Sequence, residues 1–200
     1  MKTTKGKSIV AGGGLQKDRE VDLEIPKGKI VIGFAGVIDG ANVNLVRVGG
    51  NTLTLEAAQT YGGATIMMGG TLALENDATL LSTSSLVLNY AGLSLNNNSS
   101  LQTQINDRIG DAIPILMNGG TITVNGRLTT NATETLGALT VAQGANVITA
   151  TTGGGTFTGV DLTIASLTRS AGATINFTGT NLLLSLPMLV TMTMTQTIFG

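Results

Sequence analysis

Asp107 and Asp111 bracket Arg108 and are the best-placed pair of carboxylates in the chain. Two carboxylates held about 5–9 Å apart can share the roles of glycoside hydrolysis, and Arg108 would complete that site. The same three residues suit a turn in which an Asp caps backbone N–H groups and Arg108 pairs with a carboxylate. A second acidic run, Asp18, Glu20, Asp22 and Glu24, alternates, so a strand would place these side chains on one face. Calcium takes such oxygen ligands, but lysines before and after dilute the charge, and a solvated edge strand is the simpler reading. Gly153-Gly154-Gly155 lacks the strand-to-helix context and the Lys of a phosphate loop, so it reads as a turn.

Other chemistries are removed by composition. The chain has no Cys and no His, which excludes a disulfide framework, a Cys or His metal centre and a Ser–His or Cys–His nucleophile pair. Neither a metal nor a cofactor is expected. Tyr61, Tyr90, Phe34, Phe157, Phe177 and Phe199 are too scattered for a sugar-stacking platform. Thr52/Thr54 and Thr121/Thr123 would present threonine ladders of the kind that bind ice, although Thr serves strands for its β-propensity alone. Sequons at Asn97, Asn98, Asn131 and Asn176 are what an Asn-rich repeat produces by chance.

Charge is sparse and unevenly placed. Asp, Glu, Lys and Arg make up 12% of 200 residues and the net charge is −1, which gives no electrostatic footprint for nucleic acid. All six lysines lie in the first 29 residues; residues 1–50 carry a balance of +3 and residues 51–200 a balance of −4. The sequence therefore divides into a charged cap or leader, 1–29, and a nearly neutral body, 30–200. Only Ile9-Val10-Ala11 follows the first basic residues before a Gly run, far short of the roughly 7–15 apolar residues of a secretion signal. No signal peptide is expected in the chain as given, and no run is long enough for a transmembrane helix.

The body is built of short alternating runs: Thr52-Leu53-Thr54-Leu55, Thr71-Leu72-Ala73-Leu74, Leu93-Ser94-Leu95, Thr121-Ile122-Thr123-Val124 and Val147-Ile148-Thr149. Leu, Ile and Val occupy the expected inward positions, and Thr, Ser, Asn and Ala the outward ones, with the period of two of a half-buried strand. The intervals Leu53 to Leu72, Ile66 to Leu86, Leu72 to Leu93 and Leu101 to Ile122 are all close to 20 residues. Self-similarity at that spacing predicts an all-β fold, a right-handed parallel β-helix (β-solenoid) of about 20 residues per coil. A β-sandwich is the second reading, weakened by the scarcity of aromatics and of hairpin turns. A narrow aliphatic column has little room for either aromatics or charge. Open ends of such a column would leave unpaired strand edges.

Several blocks resemble the autotransporter-associated β-strand repeat. They are Phe34-Ala35-Gly36-Val37-Ile38-Asp39-Gly40, Leu45-Val46-Arg47-Val48-Gly49-Gly50-Asn51-Thr52-Leu53, and Ala58-Gln59-Thr60-Tyr61-Gly62-Gly63-Ala64-Thr65-Ile66 followed by Gly70-Thr71-Leu72. Asp107-Arg108-Ile109-Gly110-Asp111 and Glu134-Thr135-Leu136-Gly137 are similar to segments that follow such repeats in large bacterial surface proteins. The resemblance covers roughly residues 30–182. It implies the passenger region of a type V secreted protein, displayed outside the cell, with the export β-barrel supplied elsewhere. On that reading the chain is a non-catalytic stalk, part of a longer array, and no catalytic residue is assigned. Partners would be a host or matrix surface, or further copies meeting at open ends. The alternatives are a polysaccharide-binding or -degrading β-helix using Asp107, Arg108 and Asp111, and a self-assembling fibre protein.

Overall fold

The computed structural model describes residues 21–23, 34–98, 103–153, 159–179 and 182–185. They contain fourteen strands and no helix. In chain order these are β1 (Val21–Leu23), β2 (Leu45–Val48), β3 (Thr52–Leu55), β4 (Thr65–Met68), β5 (Thr71–Leu74), β6 (Leu86–Asn89) and β7 (Gly92–Asn96). They continue as β8 (Ile115–Asn118), β9 (Thr121–Asn125), β10 (Ala132–Gln143), β11 (Ala145–Thr151), β12 (Val160–Arg169), β13 (Thr174–Gly179) and β14 (Leu182–Ser185).

From β2 onward, successive strands alternate between two sheets. The longer sheet runs β1-β2-β4-β6-β8-β10-β12-β14 and the shorter β3-β5-β7-β9-β11-β13. Every strand pair among the described residues is parallel, whereas a sandwich of Greek keys is antiparallel. Parallel pairing needs long crossovers, and from β2 onward each crossover contains the intervening strand of the other sheet.

Register turns the period-two pattern into columns. Leu53, Leu72, Leu93, Ile122, Ile148 and Phe177 stand in one row of the shorter sheet, and the first five are fully buried. The next inward row reads Leu55, Leu74, Leu95, Val124, Ala150, Gly179, so its side chains shrink along the stack. The outward row between them is Thr54, Ala73, Ser94, Thr123, Thr149 and Thr178, small and mostly hydroxylic as expected; the Thr149 and Thr178 hydroxyls bond at 2.8 Å.

Two expectations are corrected. The spacing near 20 holds only at the start: Leu53 pairs with Leu72 and Leu72 with Leu93. Ile66 pairs with Val87 rather than Leu86, a shift of one that puts Leu86 inside. Ile122 pairs with Leu93, 29 residues earlier, because an insertion carrying Asn97 and residues 103–111 separates β7 from β8; Leu101 lies outside the described residues. The second correction concerns the longer sheet, whose outward row over β2, β4, β6 and β8 is Val46, Ile66, Val87 and Leu116, half-buried aliphatics instead of polar side chains, before it turns polar at Thr140 and Thr168.

The sheets meet at a tight corner that carries left-handed residues: Gly49, Gly69 with Gly70, Tyr90, Gly119, Gly144 and Gly172. The N–H groups of Gly49, Gly69, Tyr90 and Gly119 each bond to the next repeat, as in Gly69 N–H to Asn89 O at 3.0 Å and Tyr90 N–H to Asn118 O at 2.9 Å. Glycine takes this conformation without cost; Tyr90 takes it as a highly exposed side chain.

Candidate functional site

The insertion between β7 and β8 carries Asp107, Arg108 and Asp111, and the structure separates their roles. Asp107 is half-buried in the left-handed region (φ 65°), and its Oδ1 accepts the Thr135 N–H at 3.2 Å. It is a turn cap. Asp111 is exposed in the turn before Ile113.

Arg108 is fully buried. Its guanidinium donates to Ala78 O at 2.7 Å, and to Asn76 O, Asn96 O and Thr103 O at 3.1 Å each. Nε and Nη2 also reach Asn97 Oδ1, at 3.2 and 2.8 Å. The predicted pairing with a carboxylate is replaced by this set of oxygens, because a planar fork of five donors can satisfy several loop carbonyls at once. Burial lowers the Arg108 pKa, while the charges of Glu134, Asp77 and Glu75 oppose that shift. The guanidinium thus ties the loop after β5 to the loop after β7.

Glu134, on β10, completes the cluster and has no counterpart among the residues singled out for chemistry. It is buried, and its two oxygens accept the Arg108 N–H at 2.9 Å and the Ile109 N–H at 3.0 Å. Burial raises its carboxyl to about 8, against the opposing effect of those two bonds. A glutamate at an inward position of an otherwise apolar period-two run was the one available signal.

Further polar side chains are buried near the corners. Gln59 accepts the Ile38 N–H at 2.8 Å and donates to Ala57 O and Gly36 O. Asn146 accepts the Gly120 N–H at 2.9 Å and donates to Gln143 O, Gly144 O and Thr174 O. Arg47 donates to the carbonyls of Gly49, Gly69 and Asn51 at the start of the glycine corner. Tyr61 is buried with its hydroxyl on Thr65, at 2.6 Å, and Thr65 continues to Thr83 at 3.0 Å. Buried backbone groups must find partners, and these side chains supply them.

The remaining sequence candidates are dispersed. Asp18, Glu20 and Glu24 lie outside the described residues, as does Gly154-Gly155. Among the described residues no group of three acidic side chains could hold a metal ion. Thr54 is 8% exposed and Gly92 interrupts the Thr52, Thr71, Thr121 row, so the threonines form no continuous exposed ladder. Of the sequon asparagines, Asn97 is buried with Nδ2 on Ile105 O, whereas Asn98, Asn131 and Asn176 are exposed. A cavity of about 410 Å³, lined by Asn98, Arg127, Leu128, Thr129 and Gly153, contains neither Asp107 nor Asp111.

Comparisons with known protein families, curated proteins and solved structures give no match.

Proposed function

We propose that the chain is a non-catalytic segment of a parallel β-helix, right-handed and part of an exported bacterial surface protein, where it acts as a stalk for display or adhesion. The observation that carries this reading is the in-register stack of strands alternating between two parallel sheets. Stacked repeats of this kind transmit load through inter-strand hydrogen bonds and a continuous aliphatic column. The resemblance of residues 30–182 to the autotransporter-associated β-strand repeat supplies the surface location.

The buried polar groups support the mechanical role. Arg108, Glu134, Gln59 and Asn146 are each occupied with backbone groups of neighbouring loops, which fastens one repeat to the next. Asp107 is likewise engaged at Thr135. A polysaccharide-active β-helix would need Asp107 and Asp111 turned to a substrate.

Two measurements test the proposal. Antibody against the folded chain should label intact cells that express its full reading frame; labelling confined to lysed cells would overturn the display role. Assays of the folded chain against a panel of polysaccharides should show no turnover. Turnover that is lost in Asp107→Ala/Asp111→Ala would replace the stalk with an enzyme.

A further inference from the structure

Tyr90 is a bulky residue in a backbone conformation that suits glycine, with φ 48°. The matching corner positions of the neighbouring repeats are Gly69 and Gly119. A side chain in this conformation costs free energy. Burial offsets little of that cost, because Tyr90 is 69% exposed. The Cδ1–Cε1 edge of its ring rests on Gly119, where an added Cβ would stand 2.9 Å from both atoms. The ring is therefore seated on the corner and still largely open to solvent. Carboxamides flank it. Asn89, Asn118 and Gln143 follow one another in an outward row of the longer sheet, ~4.8 Å apart. Asn118 Nδ2 donates to Asn89 Oδ1 at 2.6 Å, which orients both amides. Asn89 Nδ2 and Asn118 Oδ1 have no other partner among the described residues, so one donor and one acceptor remain beside the ring.

We propose that this corner is a non-catalytic binding subsite for a neutral hexopyranose chain, with Tyr90 stacked on one sugar ring and the Asn89 and Asn118 amides on its hydroxyls. A pyranose with equatorial hydroxyls carries its C–H bonds on the two ring faces. Such a face packs on an exposed aromatic ring, while a few placed amides fix the hydroxyls around it. Charge selects among the ligands that stack. Strands β4, β6 and β8, and β10 from Leu139 onward, carry no charged side chain. A stacked nucleic-acid base would need basic groups for its phosphates, and an anionic glycan or acidic peptide would need them too. A neutral sugar needs none.

One ring stacks one sugar residue, so the scatter of the other aromatics along the chain does not bear on this subsite. A single ring and two amides also set the strength, which is weak and in the millimolar range. The subsite lies apart from Asp107 and Asp111, contains no acid or base for turnover, and does not rest on the display role.

The chain has two tyrosines and no tryptophan, and Tyr61 is buried, so tyrosine emission that responds to an added saccharide reports on Tyr90. Titration of the folded chain with cellotetraose should change that emission saturably. Saturation-transfer NMR with the same sugar compares the variants. Tyr90→Phe, which keeps the ring, should keep the affinity. Tyr90→Gly should weaken it at least about tenfold, and Asn89→Ala/Asn118→Ala should weaken it with the ring in place. The thermal midpoint of Tyr90→Gly should stay level or rise, since glycine accepts the corner without strain; that readout separates a ring held for binding from one held for packing. No saturable response of the wild type at tens of millimolar sugar, equal binding by Tyr90→Gly, a lowered midpoint for that variant, or a response to decaproline and none to cellotetraose would each overturn the proposal.

Discussion

Glu134 and Arg108 are joined through the backbone: the Glu134 carboxyl holds the Arg108 N–H at 2.9 Å, while the Arg108 guanidinium points away to the carbonyls of Asn76, Ala78, Asn96 and Thr103. One residue therefore links β10 through its amide to the loops after β5 and β7 through its side chain. The charged groups acting on this carboxyl are Asp107, which raises its pKa, and Arg108, which lowers it.

The raised carboxyl makes stability depend on pH. Glu134 moves from 4.5 to about 8 on folding, so the native state holds the proton more tightly. Its favourable contribution is complete below about 4.5, is lost as pH rises to about 8, and is constant above. At about 1.4 kcal/mol per pH unit across that window, the swing is on the order of 5 kcal/mol. Denaturant unfolding of the wild type should show it, and Glu134→Gln, which keeps an oxygen acceptor but does not titrate, should flatten it. Parallel pH profiles for the two proteins would contradict this account.

Arg108→Ala should cost about 3–5 kcal/mol, because it strands Asn97 Oδ1 and several buried carbonyls. Arg108→Lys should recover only part of that loss, since an ammonium cannot span the loops as a planar fork does. Urea midpoints of the three proteins measure the order.

Gly70 and Gly172 separate two costs. Both have positive φ, 63° and 80°. A Cβ at Gly172 meets nothing within 4 Å, whereas one at Gly70 collides with the Arg47 guanidinium and the Asn51 carbonyl. Gly172→Ala should cost about 1–2 kcal/mol of backbone strain. Gly70→Ala should cost several kcal/mol more, because displacing Arg47 leaves a buried charge without its carbonyls. Similar thermal midpoints for the two variants would refute the distinction.

Register also predicts which deletion is tolerated. Leu45 pairs with Thr65, and Thr65 with Leu86; Thr52 pairs with Thr71, and Thr71 with Gly92. Removing residues 65–85 takes out β4 and β5 together and lets β6 and β7 fall onto β2 and β3. That variant should keep a cooperative β-type unfolding transition. Removing 65–74 alone deletes two strands and leaves their return loop, and it should unfold at markedly lower denaturant. Equal stability of the two deletions would argue against a repeat-by-repeat stack.

The strands and their inner columns were legible because a period of two needs only local information. Thr52–Leu55, Thr71–Leu74 and Thr121–Val124 read as strands from alternation alone, and their leucines, Ile122 and Val124 are buried as expected. Asp107 was legible as a residue that caps a backbone N–H, but the N–H it accepts is that of Thr135, 28 residues further on. The buried cluster was not. Arg108 reaches Ala78, 30 residues away, and Glu134 reaches Arg108 across 26, and only register decides which loops become neighbours. The insertion after β7 shifted the pairing of Ile122 to 29 residues, a spacing that self-similarity near 20 does not anticipate.

By itself, the sequence determined an all-β chain with an aliphatic interior, glycine corners and charge gathered at its start, since each follows from side-chain alternation and composition. Parallel pairing was already expected from the repeat; tertiary structure decided that the strands alternate between two sheets, and that Arg47, Arg108 and Glu134 belong inside. It also decided that Val46, Ile66, Val87 and Leu116 line up on an outer face. The physical reason is common to all three: hydrogen-bond satisfaction and surface exposure belong to positions brought together from different repeats, and a local pattern carries no information about which repeats adjoin.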